Sequence, residues 1–211
     1  MFLDRLVDFF GHLSALEWLY YFWPFFVLDF TRYVLLDALV LGYRFSRRMS
    51  QGSRLSRARK ELFRRRPLVS VIAPGRNEGK HIPTLVESLS RQTYRNFELV
   101  VVDDGSDDET PTMCRALAAK GKIDRFVRNQ PRGGKASAAN TALLYAKGEY
   151  IVHLDADSSL RHDALERILL PFMMSNKVGA VGGDIRAANA DRSLATRCQA
   201  LEYLKALSIG R

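Results

Sequence analysis

From Pro67 onward the chain alternates short β-branched runs with stretches of helical periodicity, a pattern that leaves few folds open. "LVSVIA" at 68–73 ends at Pro74–Gly75, and Ile82, Leu85, Val86 and Leu89 then recur at helical spacing. Pro83 falls in the first turn of that helix, where a missing N–H is tolerated. "FELVVV" at 97–102 becomes continuously apolar, as a strand buried on both faces should. Met113, Cys114 and Leu117 mark a second helix, and "RFV" at 125–127 a short strand. A helix over 136–146 and a strand over 149–154 follow. Leu165, Ile168, Leu169 and Phe172 predict another helix, "VGAVGG" at 178–183 a further strand, and Leu194, Cys198, Leu201 and Leu204 a last helix. Such alternation implies right-handed crossovers, hence an α/β fold with a doubly wound, mainly parallel sheet.

In sheets of this kind ligands bind outside the carboxyl ends of the strands, so the residues standing there are the candidates. The first strand is followed by Pro74, Arg76, Asn77 and Glu78, the second by Asp103, Asp104, Gly105 and Ser106, and the 149–154 strand by Asp155, Ala156 and Asp157. Residues two apart in an extended segment point the same way, so Asp155 and Asp157 face one ligand while Ala156 points back. Two carboxylates on one side repel each other unless a cation lies between them. Mg²⁺ or Mn²⁺, which take oxygen ligands and commonly share them with phosphate, fit that place. The expectation is a metal-bridged diphosphate, with Asp103 or Asp104 free to hold another part of a nucleotide.

Other motifs fail on detail. "PGRNEG" lacks the GxGxxG of a dinucleotide site. "PRGGKAS" ends in Gly-Lys, but Asn129 stands where a phosphate loop needs its first Gly, and Ala136 replaces the Ser or Thr. A receiver-type domain would carry its acid pair after the first strand, not the second. His12, His81, His153 and His162 show no metal-ligand spacing, and no Ser-His-Asp or Cys-His arrangement is evident. Cys114 and Cys198 lie far apart and read as buried thiols of a reducing compartment.

The net charge of +9 is localised. Residues 1–43 hold two basic residues against five acids, whereas 44–66 hold ten Arg or Lys against Glu61 alone. Directly before this basic run lies an apolar segment, Trp18 to Tyr43, expected to form a membrane helix over about 18–43. From Leu19 a helix would reach roughly 37 Å, enough for a tilted crossing. Asp29, Arg32 and Asp37 oppose it at about 2.5–3.5 kcal/mol each near a bilayer centre, although Asp29 and Arg32 share a helical face and can neutralise one another. An interfacial hairpin bent at Pro24 is the alternative. Either way the basic run, read as a juxtamembrane linker, belongs beside an anionic cytoplasmic leaflet, with all that follows facing the cytoplasm. Nucleic acid is not expected as a partner, because only Phe45 and Phe63 interleave the charges.

"VSVIAPGRNE", "VVVDDGSDDET", "RGGKASAANTALLYAKGEYIVHLDADS" and "VGGDIR", in order across 67–211, resemble the family-2 glycosyltransferases with the A-type nucleotide-sugar fold. The likeness is to membrane synthases of the hyaluronan, chitin and poly-N-acetylglucosamine kind. It implies a metal-dependent, inverting transfer from a UDP-sugar, with UDP-N-acetylglucosamine favoured, to a polysaccharide acceptor at the cytoplasmic membrane. It also implies that Glu78 and the Asp103–Asp104 pair hold the uridine with Pro74 beside them, that Lys135 meets the diphosphate, that Asp155 lines the donor site, and that Asp157, with Asp155, binds the metal. Gly75–Arg76 departs from the family, which commonly has an aromatic before Asn-Glu. The family's third acidic site, its catalytic base, and its Gln-x-x-Arg-Trp-like element have no counterpart before Arg211, and both tryptophans, Trp18 and Trp23, lie in the apolar segment. The 67–211 domain is therefore expected to be incomplete and, alone, inactive. The competing reading is a non-catalytic nucleotide-sugar-binding protein.

Overall fold

The computed structural model describes residues 5, 8, 10–50, 52–184, 186 and 192–208, the side chains at 44, 47–50 and 204–208 excepted. In chain order the elements are α1 (Ala15–Ser50), α2 (Gly52–Arg65), β1 (Val69–Gly75), α3 (Ile82–Ser90), β2 (Phe97–Asp103), α4 (Thr110–Ala119), β3 (Arg125–Arg128), α5 (Lys135–Tyr145), β4 (Tyr150–His153), α6 (Ala164–Met174) and α7 (Leu194–Ser208). They divide into two compact units, Met1–Gly52 with Asp184–Arg211, and Ser53–Gly183.

The second unit holds the sheet. Its strands run parallel in the order β3-β2-β1-β4, with Val69 opposite both Phe97 and Tyr150. The chain winds from β1 outward through β2 to β3, then returns to the far side of β1 for β4. Winding therefore reverses between β1 and β4, which opens a crevice at their carboxyl ends. Alternation along the strands builds two cores. Val69, Val71 and Ala73 of β1 and Leu99 and Val101 of β2 face α3, α4 and α6 through Leu85, Leu89, Cys114, Leu165 and Leu169. Ile72, Val100 and Val102 face the other way, against Ala138 and Ala142 of α5, whose small side chains let that helix lie close to the sheet. Both faces are buried, which explains why "LVVV" needs no polar alternation.

Of the expected linker 44–66, residues 44–50 are the end of α1, while Gly52–Arg65 form the separate helix α2, which has a role in this core. Ala58 and Leu62, four apart on α2, are buried with β1 and α6, and burial of a leucine contributes about 1.5–3 kcal/mol. Arg59 Nε lies 2.8 Å from Glu166 Oε1, Arg65 Nη2 lies 2.8 Å from Glu149 Oε1, and the Phe63 ring packs at 5.9 Å from that of Tyr94.

Three other expectations are corrected. First, the apolar segment is helical, and longer than 18–43, yet among the described residues no helix is long and apolar enough to cross a membrane. Asp29, Arg32 and Asp37 interrupt the apolar run, and Arg32 does approach Asp29, at 3.7 Å, on the shared face. Nor is there a hairpin at Pro24, because α1 continues through it. The first four residues of the 1–43 segment lie outside the described residues. Second, 178–183 forms no strand: three glycines in six residues offer few side chains to pack, and even a Cβ added at Gly179 or Gly183 would meet nothing within 4 Å. In "VGGDIR", Ile185 lies outside the described residues. Third, Cys114 is buried, its thiol pushed up to about 12 by desolvation, but Cys198 is exposed on α7, none of whose described side chains is buried.

Candidate functional site

The carboxyl edge of the sheet carries a cleft of about 220 Å³ where the winding reverses. The end of β1 contributes Pro74, Gly75, Arg76 and Glu78, and the end of β4 contributes Asp155, Ala156 and Asp157. Asp104 reaches it from β2, and Arg132, Lys135 and Ala138 from α5 and the loop before it. Of the residues expected from sequence, Pro74, Glu78, Asp104, Lys135, Asp155 and Asp157 come together here. Asp103 does not.

The separation of Asp103 from Asp104 follows from strand geometry, since consecutive side chains at the end of β2 point to opposite sides. Asp103 is buried beneath the loop: its Oδ1 accepts from the Ser106 N–H and hydroxyl, and Arg128 Nε lies 3.1 Å from its Oδ2 without hydrogen-bond alignment. This carboxylate shapes the turn and is closed to a ligand. Asp104 Oδ1 accepts from the Gly133 N–H at 3.0 Å, and its Oδ2 from the Gly134 N–H at 2.7 Å. Burial pushes the Asp104 carboxyl up, but these two N–H groups, the Asn129 amide and the Arg132 guanidinium outweigh it and hold the group below the usual carboxylate range. Gly134, the N-cap of α5, has φ +87°, a conformation that a side chain would strain.

The turn after β1 is equally fixed. Asn77 takes φ +59°, donates its N–H to Ser106 Oγ at 2.8 Å, and accepts from the Asp107 N–H at 3.2 Å through Oδ1. Arg76 Nη2 lies 3.3 Å from Asp107 Oδ2. A Cβ on Gly75 would sit 2.9 Å from Glu78 Cγ and 3.0 Å from Ala156 Cβ, so only glycine lets the β1 and β4 ends approach this closely. Two loops from two strands are thereby locked as one wall.

Charge in the cleft is mixed. Lys135 Nζ lies 2.6 Å from Asp155 Oδ1, and this bond raises the Lys135 ammonium above its usual range. Glu78 is raised as well, by burial first and then by Asp157, with smaller contributions from Asp108 and Asp155. Asp157 itself is exposed. Sequence reasoning missed Arg132 and Ala138, and gave Arg76 no role. The signal for Arg132 was its place two residues before Gly134 in "PRGGKAS".

Among the described residues no group of three His, Cys, Asp or Glu side chains is placed to hold a metal ion. The donor set nevertheless suits one that is shared with a ligand. Asp157 and Asp155 supply hard carboxylate oxygens on one side, and Mg²⁺ or Mn²⁺ ordinarily completes its shell with phosphate and water.

A doubly wound sheet with carboxylates and cations converging at its winding reversal defines an α/β protein with a polar ligand site at the strand ends. This chain belongs to glycosyl transferase family 2: the family's sequence profile matches residues 70–208. A glycosyltransferase of Streptococcus pneumoniae, GlyG, is 37% identical over 101 residues, 48% of this chain and 34% of its own. The hyaluronan synthase of Pasteurella multocida is 37% identical over 128 residues, 61% of this chain and 13% of its own. An Escherichia coli protein, UDP-Glc:alpha-D-GlcNAc-diphosphoundecaprenol beta-1,3-glucosyltransferase WfgD, is 34% identical over 122 residues, 58% of this chain and 47% of its own. The chain thus spans less than half the length of each of these relatives.

Proposed function

We propose that Ser53–Gly183 carries the donor site of an inverting, metal-dependent glycosyltransferase that moves a sugar from a UDP-sugar, UDP-N-acetylglucosamine, onto a growing polysaccharide. The observation that carries this reading is the convergence of Glu78, Asp104, Lys135, Asp155 and Asp157 from three strand ends and one helix on a single cleft. Family membership supports a nucleotide-sugar donor, and the UDP-Glc in the name of the E. coli relative supports uridine.

In this reading Lys135 and Arg132 take the diphosphate, and Asp155 aims the Lys135 ammonium across the cleft. Asp104 holds the Gly133–Gly134 turn that joins Arg132 to Lys135 at the start of α5. Pro74 and Glu78 stand at the uridine end. Asp157, with Asp155, would hold the metal, which when bound supplies Lewis-acid stabilisation of the departing diphosphate. The attacking acceptor hydroxyl needs a base, and no described residue is assigned that role. The test is a calorimetric titration of the chain with UDP, UDP-N-acetylglucosamine, UDP-glucose and GDP in the presence of Mn²⁺. UDP-N-acetylglucosamine is expected to bind most tightly and GDP at least about tenfold more weakly, the cost of one unmade hydrogen bond. Equal affinity for UDP and GDP would remove the uridine assignment.

A further inference from the structure

Gln92, in the turn between α3 and β2, is fully buried and lies outside the cleft. Burying an amide is costly unless it is bonded, and here every polar atom is engaged. Nε2 donates to Ser88 O at 3.1 Å and to Arg161 O at 2.8 Å, and Oε1 accepts from the Leu165 N–H at 3.1 Å. Turning the amide over would set its oxygen against two carbonyls, so the partners fix its orientation. The next residue repeats the grip. The Thr93 N–H donates to His162 O at 2.8 Å, and the Thr93 hydroxyl to Glu166 Oε2 at 2.9 Å.

The gripped residues close the connection from β4 to α6, which opens with Asp155 and Asp157. At its start the Leu154 N–H donates to Ile72 O, and a turn runs from Asp155 to Ser158. Further on, Leu160 packs on the core. Arg161 and Arg167 both pair with Asp163, contacts that stay within the connection and α6. Asp155 has a second hold in Lys135. Asp157 has none: among the described residues its exposed carboxylate makes no hydrogen bond or ion pair. Only the path of the backbone places it, and that path is pinned at Arg161.

We propose that Gln92 is a positioning residue for the metal: by fixing residues 161–165 it holds the connection on which Asp157 stands. The proposal rests on the donor-site reading for what Asp157 binds. Glu78, Asp104 and Lys135 stand on other elements, so loosening the connection leaves them in place. Loss of Gln92 therefore removes what the metal adds to UDP binding and spares the metal-free part.

The experiment is calorimetric titration of the full chain with UDP, with and without saturating Mn²⁺, in the unaltered chain and in Q92M. Methionine keeps an unbranched side chain and removes all three hydrogen bonds. In the unaltered chain Mn²⁺ is expected to tighten UDP binding at least about tenfold. Loss of a group that orients metal ligands costs about 10–100-fold in metal affinity, so in Q92M that gain is expected to vanish while the metal-free affinity is unchanged. Q92N, its amide one methylene short of its partners, is expected to behave alike and serves if Q92M fails to fold by circular dichroism. I123A removes buried packing beside β3, at the opposite edge of the sheet from β4, and is expected to keep the whole gain. A Mn²⁺ gain that survives in full at position 92, a metal-free affinity that falls with it, or an equal loss in I123A would overturn the proposal. Absence of any Mn²⁺ gain in the unaltered chain would instead be a failure of the donor-site reading, and would take the proposal with it.

Discussion

Lys135, at the first turn of α5, reaches across the cleft to Asp155, beyond the end of β4, and closes to 2.6 Å. The pair is exposed to solvent on both sides, so it contributes little to stability, about 0–1 kcal/mol. In the proposed donor site it places an ammonium where a diphosphate would arrive. K135A is accordingly expected to leave the urea midpoint nearly unchanged while weakening UDP binding about 10–100-fold, the loss of one charge-assisted bond. A variant that unfolds early but binds UDP normally would show the pair to be structural.

Asp104 is the opposite case, a nearly buried carboxylate with two backbone donors. D104A is expected to cost about 2–4 kcal/mol in urea denaturation, because Gly133 and Gly134 lose charged acceptors. The sign with pH follows from its depressed pKa. The stability it contributes is fully present above the ordinary carboxylate value and is lost as pH falls through the lower folded value. The gap between the unaltered chain and D104A should therefore be widest near neutral pH and shrink in acid.

Glu78 titrates in the other direction. Burial and the Asp157 charge raise its pKa, so the folded state holds the proton more tightly than the unfolded chain does. Its charge is then a cost that is absent below the ordinary carboxylate range and appears as pH rises through the folded value. Without ligand, E78Q is expected to melt higher than the unaltered chain at pH 7 and no higher at pH 3. Carbon-13 NMR of Glu78 in D157N should show its titration moving back toward the ordinary range.

Leu62 tests whether α2 belongs to its unit. It is fully buried among β1 and α6, and L62A is expected to destabilise by about 2–5 kcal/mol. A cost below about 0.5 kcal/mol, as at an ordinary surface position, would mean that α2 is a tether after all.

The strands were readable wherever both faces are buried, because runs such as "FELVVV" admit no other placement. The carboxyl-edge position of Asp104, Asp155 and Asp157 followed from topology alone. Which member of Asp103–Asp104 faces the cleft was not readable, since that turns on a one-residue register at the end of β2. The helix α2 was hidden by composition: its buried pair, Ala58 and Leu62, is outnumbered by the charges that cover its other sides. The run 178–183 read as a strand because periodicity weighs Val178, Ala180 and Val181 but not the backbone freedom of the glycines between them.

The most direct test of the donor site is UDP affinity measured four ways, in the unaltered chain and in D157A, each with and without Mn²⁺. A metal held between Asp157 and the diphosphate should tighten UDP binding at least about tenfold in the unaltered chain, the worth of a single strong charged contact. In D157A, Mn²⁺ should change nothing. Four equal affinities, or a Mn²⁺ effect that survives D157A, would contradict the assignment of this cleft as a metal-assisted nucleotide-sugar site.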